Sequence, residues 1–316
     1  MDKPKKRCKV LVLLPVLNEE MYIERAIKSL KIQNFQDWIL CAQDNHSDDK
    51  TFSILTSAAE NDQRIRVFSS VSRLSAAENW NSIASKALEE VESEYVVWFS
   101  GDDFFVSENY FSKLVKVMEK NENRFPVAPN FLLQSEQIPS NLKNFLNQLD
   151  SQDVSERLRN LCDEWLNVCG MYAFYNRRQF ESTLTSSQGR LTNYLGSDWW
   201  WVYSVVSATP ILNCPEITYR KTHHEAGWRH SNRKVMKRRE ILIQKYKDAV
   251  FRLPKFIFNH FYLQRYRFSI IEDNAVRSFL MKSFIRGIRD FLVVHMKIFS
   301  GFYLISKFFR TKKKSA

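Results

Sequence analysis

Tyr95-Val-Val-Trp-Phe-Ser-Gly-Asp-Asp-Phe-Phe105 is the stretch on which the fold turns. Its first five residues, Tyr95 to Phe99, are large and apolar without alternation, which suits a strand buried on both faces. They run directly into Ser100, Gly101, Asp102 and Asp103. Two adjacent carboxylates at the end of a buried strand repel each other and are poorly solvated. A divalent cation carrying phosphate oxygens relieves both problems. Gly101 would let a ligand approach the backbone closely. The same residues also make an ordinary solvated turn, so the neighbouring segments must decide between the two.

Upstream, the same pattern repeats. Lys9 to Leu14 is another continuous apolar run, read as a buried parallel strand that Pro15 ends. Asn18 is placed to cap a following helix, with Glu19 and Glu20 complementing its positive end. Ile23, Ala26, Ile27 and Leu30 then recur at helical spacing. Trp38 to Ala42 reads as a second strand, ending at Gln43 and Asp44. Ser47 is placed to cap a helix bearing Phe52, Leu55 and Ala59. Ile65 to Phe68 reads as a third strand and Ser75 to Val91 as a third helix. This alternation is the signature of a parallel α/β sheet flanked by helices. Ligands of such sheets bind beyond the carboxyl ends of the strands, where Pro15, Asn18, Asp44, Asp102 and Asp103 all fall.

Composition bounds the partners. The 316 residues suffice for one large domain with an annex, and 44% hydrophobic residues with 14% aromatic ones exclude a disordered chain. The formal charge of +12 suits an anionic partner. Five scattered cysteines without a Cys-x-x-Cys pair point to neither a zinc site nor a disulfide framework, and fit a cytoplasmic setting. The run from Val10 to Leu17 is too short for a signal peptide, and no uninterrupted apolar stretch reaches bilayer-spanning length.

Four segments together resemble the inverting glycosyltransferases of family 2, which have the nucleotide-sugar-binding GT-A fold. Leu14 to Glu20 (Leu-Pro-Val-Leu-Asn-Glu-Glu) resembles the family's Pro-x-x-Asn-Glu loop, and Asp44 to Thr51 its Asp-Asn-x-Ser-x-Asp-x-Thr turn. Glu78-Asn79-Trp80-Asn81 is similar to a stretch found in a subset of members, and Ser100 to Asp103 resembles the metal-binding Asp-x-Asp region. The resemblance implies that Pro15, Asn18, Glu20 and Asp44 hold the base and ribose. Asp44 has the chemistry for it, accepting from a base N–H or a ribose hydroxyl. It also implies that Asp103 meets Mg²⁺ or Mn²⁺ and the diphosphate, with Asp102 nearer the ribose or sugar. The chain departs from many relatives in having Gly101 where they carry a third acid. Taken alone, Asp44 reads equally as a capping turn, and Glu19 and Glu20 as surface acids.

Beyond a helix at Ser107 to Lys120, Pro126 to Leu133 reads as a strand, and Leu142 to Leu166 as a polar, partly helical insertion or lid. Gly170 to Tyr175 reads as a strand, resembling the floor of the family's acceptor site. In Gly196-Ser-Asp-Trp-Trp-Trp201 the resemblance makes Asp198 the catalytic base. Attack by an acceptor hydroxyl needs a proton acceptor, and neighbouring indoles would favour that role. Without the resemblance, Asp198 is a helix cap and the tryptophans are core. Ile217 to His224 is similar to the family's Tyr-Arg-x-x-His element, which makes Arg220 and His223 candidates for the diphosphate or metal on a mobile loop. His223, His224 and His230 lack zinc-site spacing.

The expected organisation is a GT-A domain over residues 1–232, with a donor half to about 122 and an acceptor half after it. A basic, amphipathic helical region follows over 233–316. That region ends Lys307-Phe-Phe-Arg-Thr-Lys-Lys-Lys314 and is expected to lie on an anionic membrane surface rather than span it, since His295 and Lys297 interrupt its most apolar part. The expected activity is metal-dependent transfer of a sugar from a nucleotide-diphosphate donor to a glycan or lipid-linked acceptor, in cell-surface polysaccharide synthesis. A nucleotidyltransferase is the rival, disfavoured because the loop Pro15 to Glu20 lacks Gly, Lys and Arg. A degenerate nucleotide-sugar or anion-binding protein is the other, and nucleic acid is not expected because no recognisable motif accompanies the basic residues.

Overall fold

A computed structural model describes residues 5–135, 138–143, 149–163, 165–186, 191 and 197–223. The region expected to be basic and helical, with its boundary at 232, and His224 and His230 lie outside the described residues. In chain order the elements are β1 (Lys6–Val16), α1 (Ile23–Lys31), β2 (Trp38–Asp44), α2 (Thr51–Glu60), β3 (Ile65–Ser69), α3 (Ala76–Glu90) and β4 (Val91–Trp98). Then follow β5 (Phe104–Phe105), α4 (Tyr110–Lys120), β6 (Val127–Ser135), β7 (Ile138–Lys143), α5 (Val154–Asp163), a 3-10 helix (Trp165–Tyr172), β8 (Tyr175–Asn176), α6 (Arg177–Thr185), α7 (Ser197–Ala208) and β9 (Leu212–His223).

The main sheet has the order β3-β2-β1-β4-β8 and is parallel except for β8. β1 is central, which explains its unbroken apolar run: Val10 to Leu14 are all fully buried. α1 turns Ile23, Ala26, Ile27 and Leu30 inward, as their spacing predicts. α3 starts at a capping box in which the Ser75 hydroxyl takes the Glu78 N–H and the Glu78 carboxylate takes the Ser75 N–H. The first half of β4 alternates buried Val91 and Ser93 with exposed Glu92 and Glu94, and only from Tyr95 is it buried throughout.

A second sheet, β5-β9-β6-β7, packs beside the exit of β4. Its anchor is Tyr219 on β9, fully buried among Phe99, Phe105 and Phe131 at ring distances of 6.2, 5.7 and 5.7 Å, with the Tyr172 ring stacked at 5.5 Å. Aromatic burial on this scale fixes the end of β9 directly over the Asp102–Asp103 turn.

Several expectations are corrected. Pro15 does not end β1: the strand continues to Val16, with Pro15 opposite Gln43 and Val16 opposite Asp44. The register with β4 stops at Leu13–Trp98, so the missing Pro15 N–H lies past that ladder. Asn18 and Ser47 do not cap helices; α1 and α2 begin later, behind Tyr22 and Lys50. Gly170 to Tyr172 is not strand but the end of a 3-10 helix, and only Tyr175 enters the short β8; Gly170 fits against Ile211 and Val202 and its carbonyl accepts from the Tyr175 hydroxyl at 2.6 Å. The segment 217–223 is strand, not loop.

Candidate active site at the carboxyl edge of the sheet

The loops leaving β1 and β2 are laced together. The Asn18 and Glu19 N–H groups donate to Ser47 Oγ at 2.9 Å and Thr51 Oγ1 at 2.7 Å. In return Asn18 Oδ1 accepts from the Asp48 N–H at 2.9 Å, and Glu20 Oε2 from the Lys50 N–H at 3.1 Å. Asn18 can do this because its backbone is left-handed, at φ 57°. Asn18 and Glu20, expected to touch ligand, therefore engage the neighbouring loop, while Pro15 is buried in the strand.

Asp44 ends β2 in the floor between these loops and is 3% exposed. Its Oδ2 accepts from the Ser47 N–H at 3.0 Å, and its Oδ1 is buried with no hydrogen-bond partner among the described residues. A buried carboxylate oxygen left this way costs roughly 1–3 kcal/mol unless a ligand donates to it. Asn45 beside it clamps the loop before α3: its Oδ1 takes the Leu74 N–H at 2.8 Å and its Nδ2 donates to the Leu74 carbonyl at 2.9 Å. The Glu78–Asn81 segment ties this floor to its surroundings. Asn79 accepts from Gln43 at 2.8 Å, Trp80 packs on Trp98 at 4.8 Å, and Asn81 donates to the Leu191 carbonyl at 2.8 Å.

The two aspartates differ sharply. Asp103 is 1% exposed, and both of its oxygens accept from protein: Oδ2 from the Tyr219 hydroxyl at 3.0 Å and the Lys221 ammonium at 3.1 Å, Oδ1 from the Thr222 N–H at 2.8 Å. Burial pushes its pKa up to about 6 despite the Lys221 charge that opposes the shift. Asp102 is only half-buried, with Oδ1 accepting from Ser100 Oγ at 2.6 Å. Glu19 completes an acidic trio. Burial first, and then Asp102 and Asp103, push its pKa up to about 8. Gly101 makes this close assembly possible, since a Cβ there would meet Val16 Cγ1 at 3.0 Å and Glu19 Cγ at 3.1 Å. Its small size thus serves the β1 loop, where the sequence suggested ligand approach.

Cations face these acids. Arg25 on α1 donates to the Asp102 carbonyl at 2.8 Å and to Thr222 Oγ1 at 2.9 Å, with its guanidinium 4.5 Å from the Phe104 ring. Arg220 lies 5.3 Å from the same ring. The Lys221 ammonium sits 4.0 Å from the Tyr172 ring. His223 ends β9, its side chain outside the described residues. Asp198 lies in the first turn of α7 and is exposed, whereas Trp201 enters the core at 0% exposure. Burial pushes the Cys169 thiol up to about 11, with Lys221 opposing the shift and Asp103 and Asp198 adding to it. Trp199 and Trp200 have side chains outside the described residues.

The sequence reading missed Lys221, Tyr219, Thr222 and Arg25, and took Glu19 for a surface acid. The first three depend on β9 pairing with β5 and β6, a contact across ~100 residues that periodicity does not encode. Arg25 did carry a signal, as a cation one turn into α1 on the ligand edge of the sheet.

Residues 11–184 match the description Glycosyl transferase family 2, over more than half of the chain. A stretch of 129 residues is 30% identical to a Campylobacter jejuni protein, GalNAc(5)-diNAcBac-PP-undecaprenol beta-1,3-glucosyltransferase, covering 40% of each chain. Another of 105 residues is 26% identical to an uncharacterized glycosyltransferase of Haemophilus influenzae, covering 33% of this chain and 40% of that one. The chain thus spans about 40% of the length of these curated relatives. Among solved structures, S. aureus TarS 1-349 superposes with a TM-score of 0.52 at 15% identity, covering 68% of this chain and 60% of that one. A longer TarS chain gives 0.50 at 15% identity, covering 68% of this chain and 37% of that one. These likenesses bear on the fold, a mainly parallel sheet between helices as in GT-A proteins, and the match over residues 11–184 gives the family: the chain belongs to glycosyl transferase family 2.

Proposed function

We propose that the chain is an inverting transferase that moves a sugar from a nucleoside diphosphate onto a hydroxyl of a glycan or lipid-linked acceptor. The observation that carries this reading is the buried Asp44 Oδ1 without a partner, set where the loops of β1, β2 and β4 converge. A base N–H or ribose hydroxyl satisfies that oxygen. The diphosphate then lies toward Asp102, with Arg25, Arg220 and Lys221 supplying positive charge.

A divalent cation fits this site in one arrangement. Among the described residues no three His, Cys, Asp or Glu side chains converge as a metal cage. Mg²⁺ or Mn²⁺ would instead be held by one carboxylate together with the donor's phosphate oxygens. The sequence pointed to Asp103 for this contact, but both of its oxygens already accept from protein donors, so we assign it to the half-buried Asp102. When bound, the cation would neutralise charge on the departing diphosphate.

Asp198 is the base in this reading. The acceptor oxygen forms a bond to the anomeric carbon, the bond from that carbon to the diphosphate oxygen breaks, and Asp198 takes the acceptor's proton. Attack opposite the leaving group inverts the configuration. The lipid-linked substrate in the C. jejuni relative's name supports an acceptor of that kind. Among the described residues no helix is long and apolar enough to cross a membrane. Cytoplasmic residence, peripheral attachment to an anionic membrane through residues 233–316, and a role in surface polysaccharide synthesis belong to the same proposal. Asp198→Asn should bind the donor as wild type does and lose at least ~100-fold in transfer rate. Wild-type turnover by Asp198→Asn would remove the assigned base.

A further inference from the structure

We propose that Lys221 binds the donor's diphosphate directly, as a cation built into the chain. This inference rests on the transferase reading of the same site. It starts from the position of the ammonium. Lys221 stands near the end of β9, held in register by the buried Tyr219 two residues earlier and by the Thr222 N–H on Asp103. Its Nζ is 3.1 Å from Asp103 Oδ2 and 4.0 Å from the Tyr172 ring, and its side chain is 25% exposed. One flank of the ammonium is therefore fixed by an anion and an aromatic face, while part of the side chain reaches solvent. An ammonium carries three N–H donors; Asp103 takes one and the Tyr172 hydroxyl another, which leaves one for a ligand.

Asp102 follows β4 at the ligand edge of the sheet and acts electrostatically on Lys221. Burial pulls the lysine pKa down, but the anions around it, Asp103 foremost, hold it well above its ordinary value, so the group is cationic throughout the neutral range. A diphosphate set against Asp102 without a cation between them would meet repulsion. Lys221 is a cation whose charged atom is anchored on Asp103, the residue next to Asp102. Arg220, the residue the sequence suggested for the role, instead lies against Phe104. Asp103 is then the orienting group for Lys221, which accounts for a carboxylate that is fully buried beside the site yet fully bonded to protein.

The test is binding to the full chain by calorimetry, with uridine, guanosine, uridine diphosphate and guanosine diphosphate as probes. Each is measured in EDTA and in Mn²⁺. Lys221→Met should cut the preference of the wild type for the diphosphate over its nucleoside about tenfold in EDTA, with nucleoside affinity unchanged, and Lys221→Arg should keep that preference. A purely structural lysine would weaken nucleoside and diphosphate together, or neither. Because Lys221→Met leaves Asp103 charged and buried, Lys221→Met/Asp103→Asn serves if the single variant does not fold, and the same loss is expected of it. A preference equal to wild type in the folded variant overturns the inference while leaving the transferase reading standing. If neither diphosphate binds wild type, adenosine, cytidine and thymidine diphosphates are tried in the same way, and no binding of any of the five, even with Mn²⁺, overturns both.

Discussion

Glu19 is the residue on which the electrostatics of the site concentrate. Its folded-state pKa is raised from 4.5 to about 8, burial acting first and the neighbouring aspartates next. The folded protein therefore holds a proton on Glu19 that the unfolded chain releases above pH ~4.5. Stability from this group is fully present below that pH and declines until about pH 8, where both states are ionised. Glu19→Gln removes the decline. Its unfolding free energy in chemical denaturation should match wild type near pH 4 and exceed it increasingly up to pH 8.5, by roughly 2–5 kcal/mol. A constant offset across that range would contradict the assignment. Asp103, raised from 3.8 to about 6, has a dependence of the same sign over a lower and narrower window, because its charge is answered by Tyr219, Lys221 and Thr222. Tyr219→Phe should cost about 2 kcal/mol in chemical denaturation, because a buried carboxylate loses a donor. At this scale the sequence put Asp44, Asp102 and Asp103 at the strand ends but took Glu19 for a surface acid. It did not reveal that Asp103 faces inward and Asp102 outward, because that choice is made by β9.

The elements divide by how local their determinants are. Apart from the two-residue β5, the strands and helices up to α4 were legible because each carries its own period: unbroken apolar runs for β1 and β2, a helical stripe for α1, a capping box for α3. The capping box makes an isolated test. Ser75→Ala should lower stability by ~1 kcal/mol and leave nucleotide affinity intact, since Ser75 acts only on the start of α3. Gly101→Ala belongs to the packing between elements. The new methyl meets Val16 and Glu19 at 3.0 and 3.1 Å, so the β1 loop must yield. A loss of ~1–3 kcal/mol together with weaker nucleoside diphosphate binding is expected, and a variant equal to wild type in both would show that the loop yields without consequence. In the second sheet β6 was legible as a strand from Pro126 to Leu133, but its assembly with β5, β7 and β9 was not, nor was the end of β1. β9 is paired by partners far along the chain, and Pro15 continues a strand only because the β4 ladder has already ended beside it.

Across the whole molecule, two sheets meet at one edge. The parallel sheet supplies Asp44 and the aspartate turn, and the second sheet brings Lys221 and Thr222 over that turn. The family resemblance was readable because its motifs fall at strand ends, where chemistry and chain order coincide. The most direct measurement of the central claim is the thermal stability of the purified chain against a panel of nucleoside diphosphates, with and without Mn²⁺, in wild type and Asp102→Asn. A ligand that binds only the folded state raises the melting temperature. The account predicts a rise for one nucleotide that is larger with Mn²⁺, and loss of that metal-dependent increment in Asp102→Asn. No rise with any nucleotide, or an undiminished metal-dependent rise in Asp102→Asn, would contradict it.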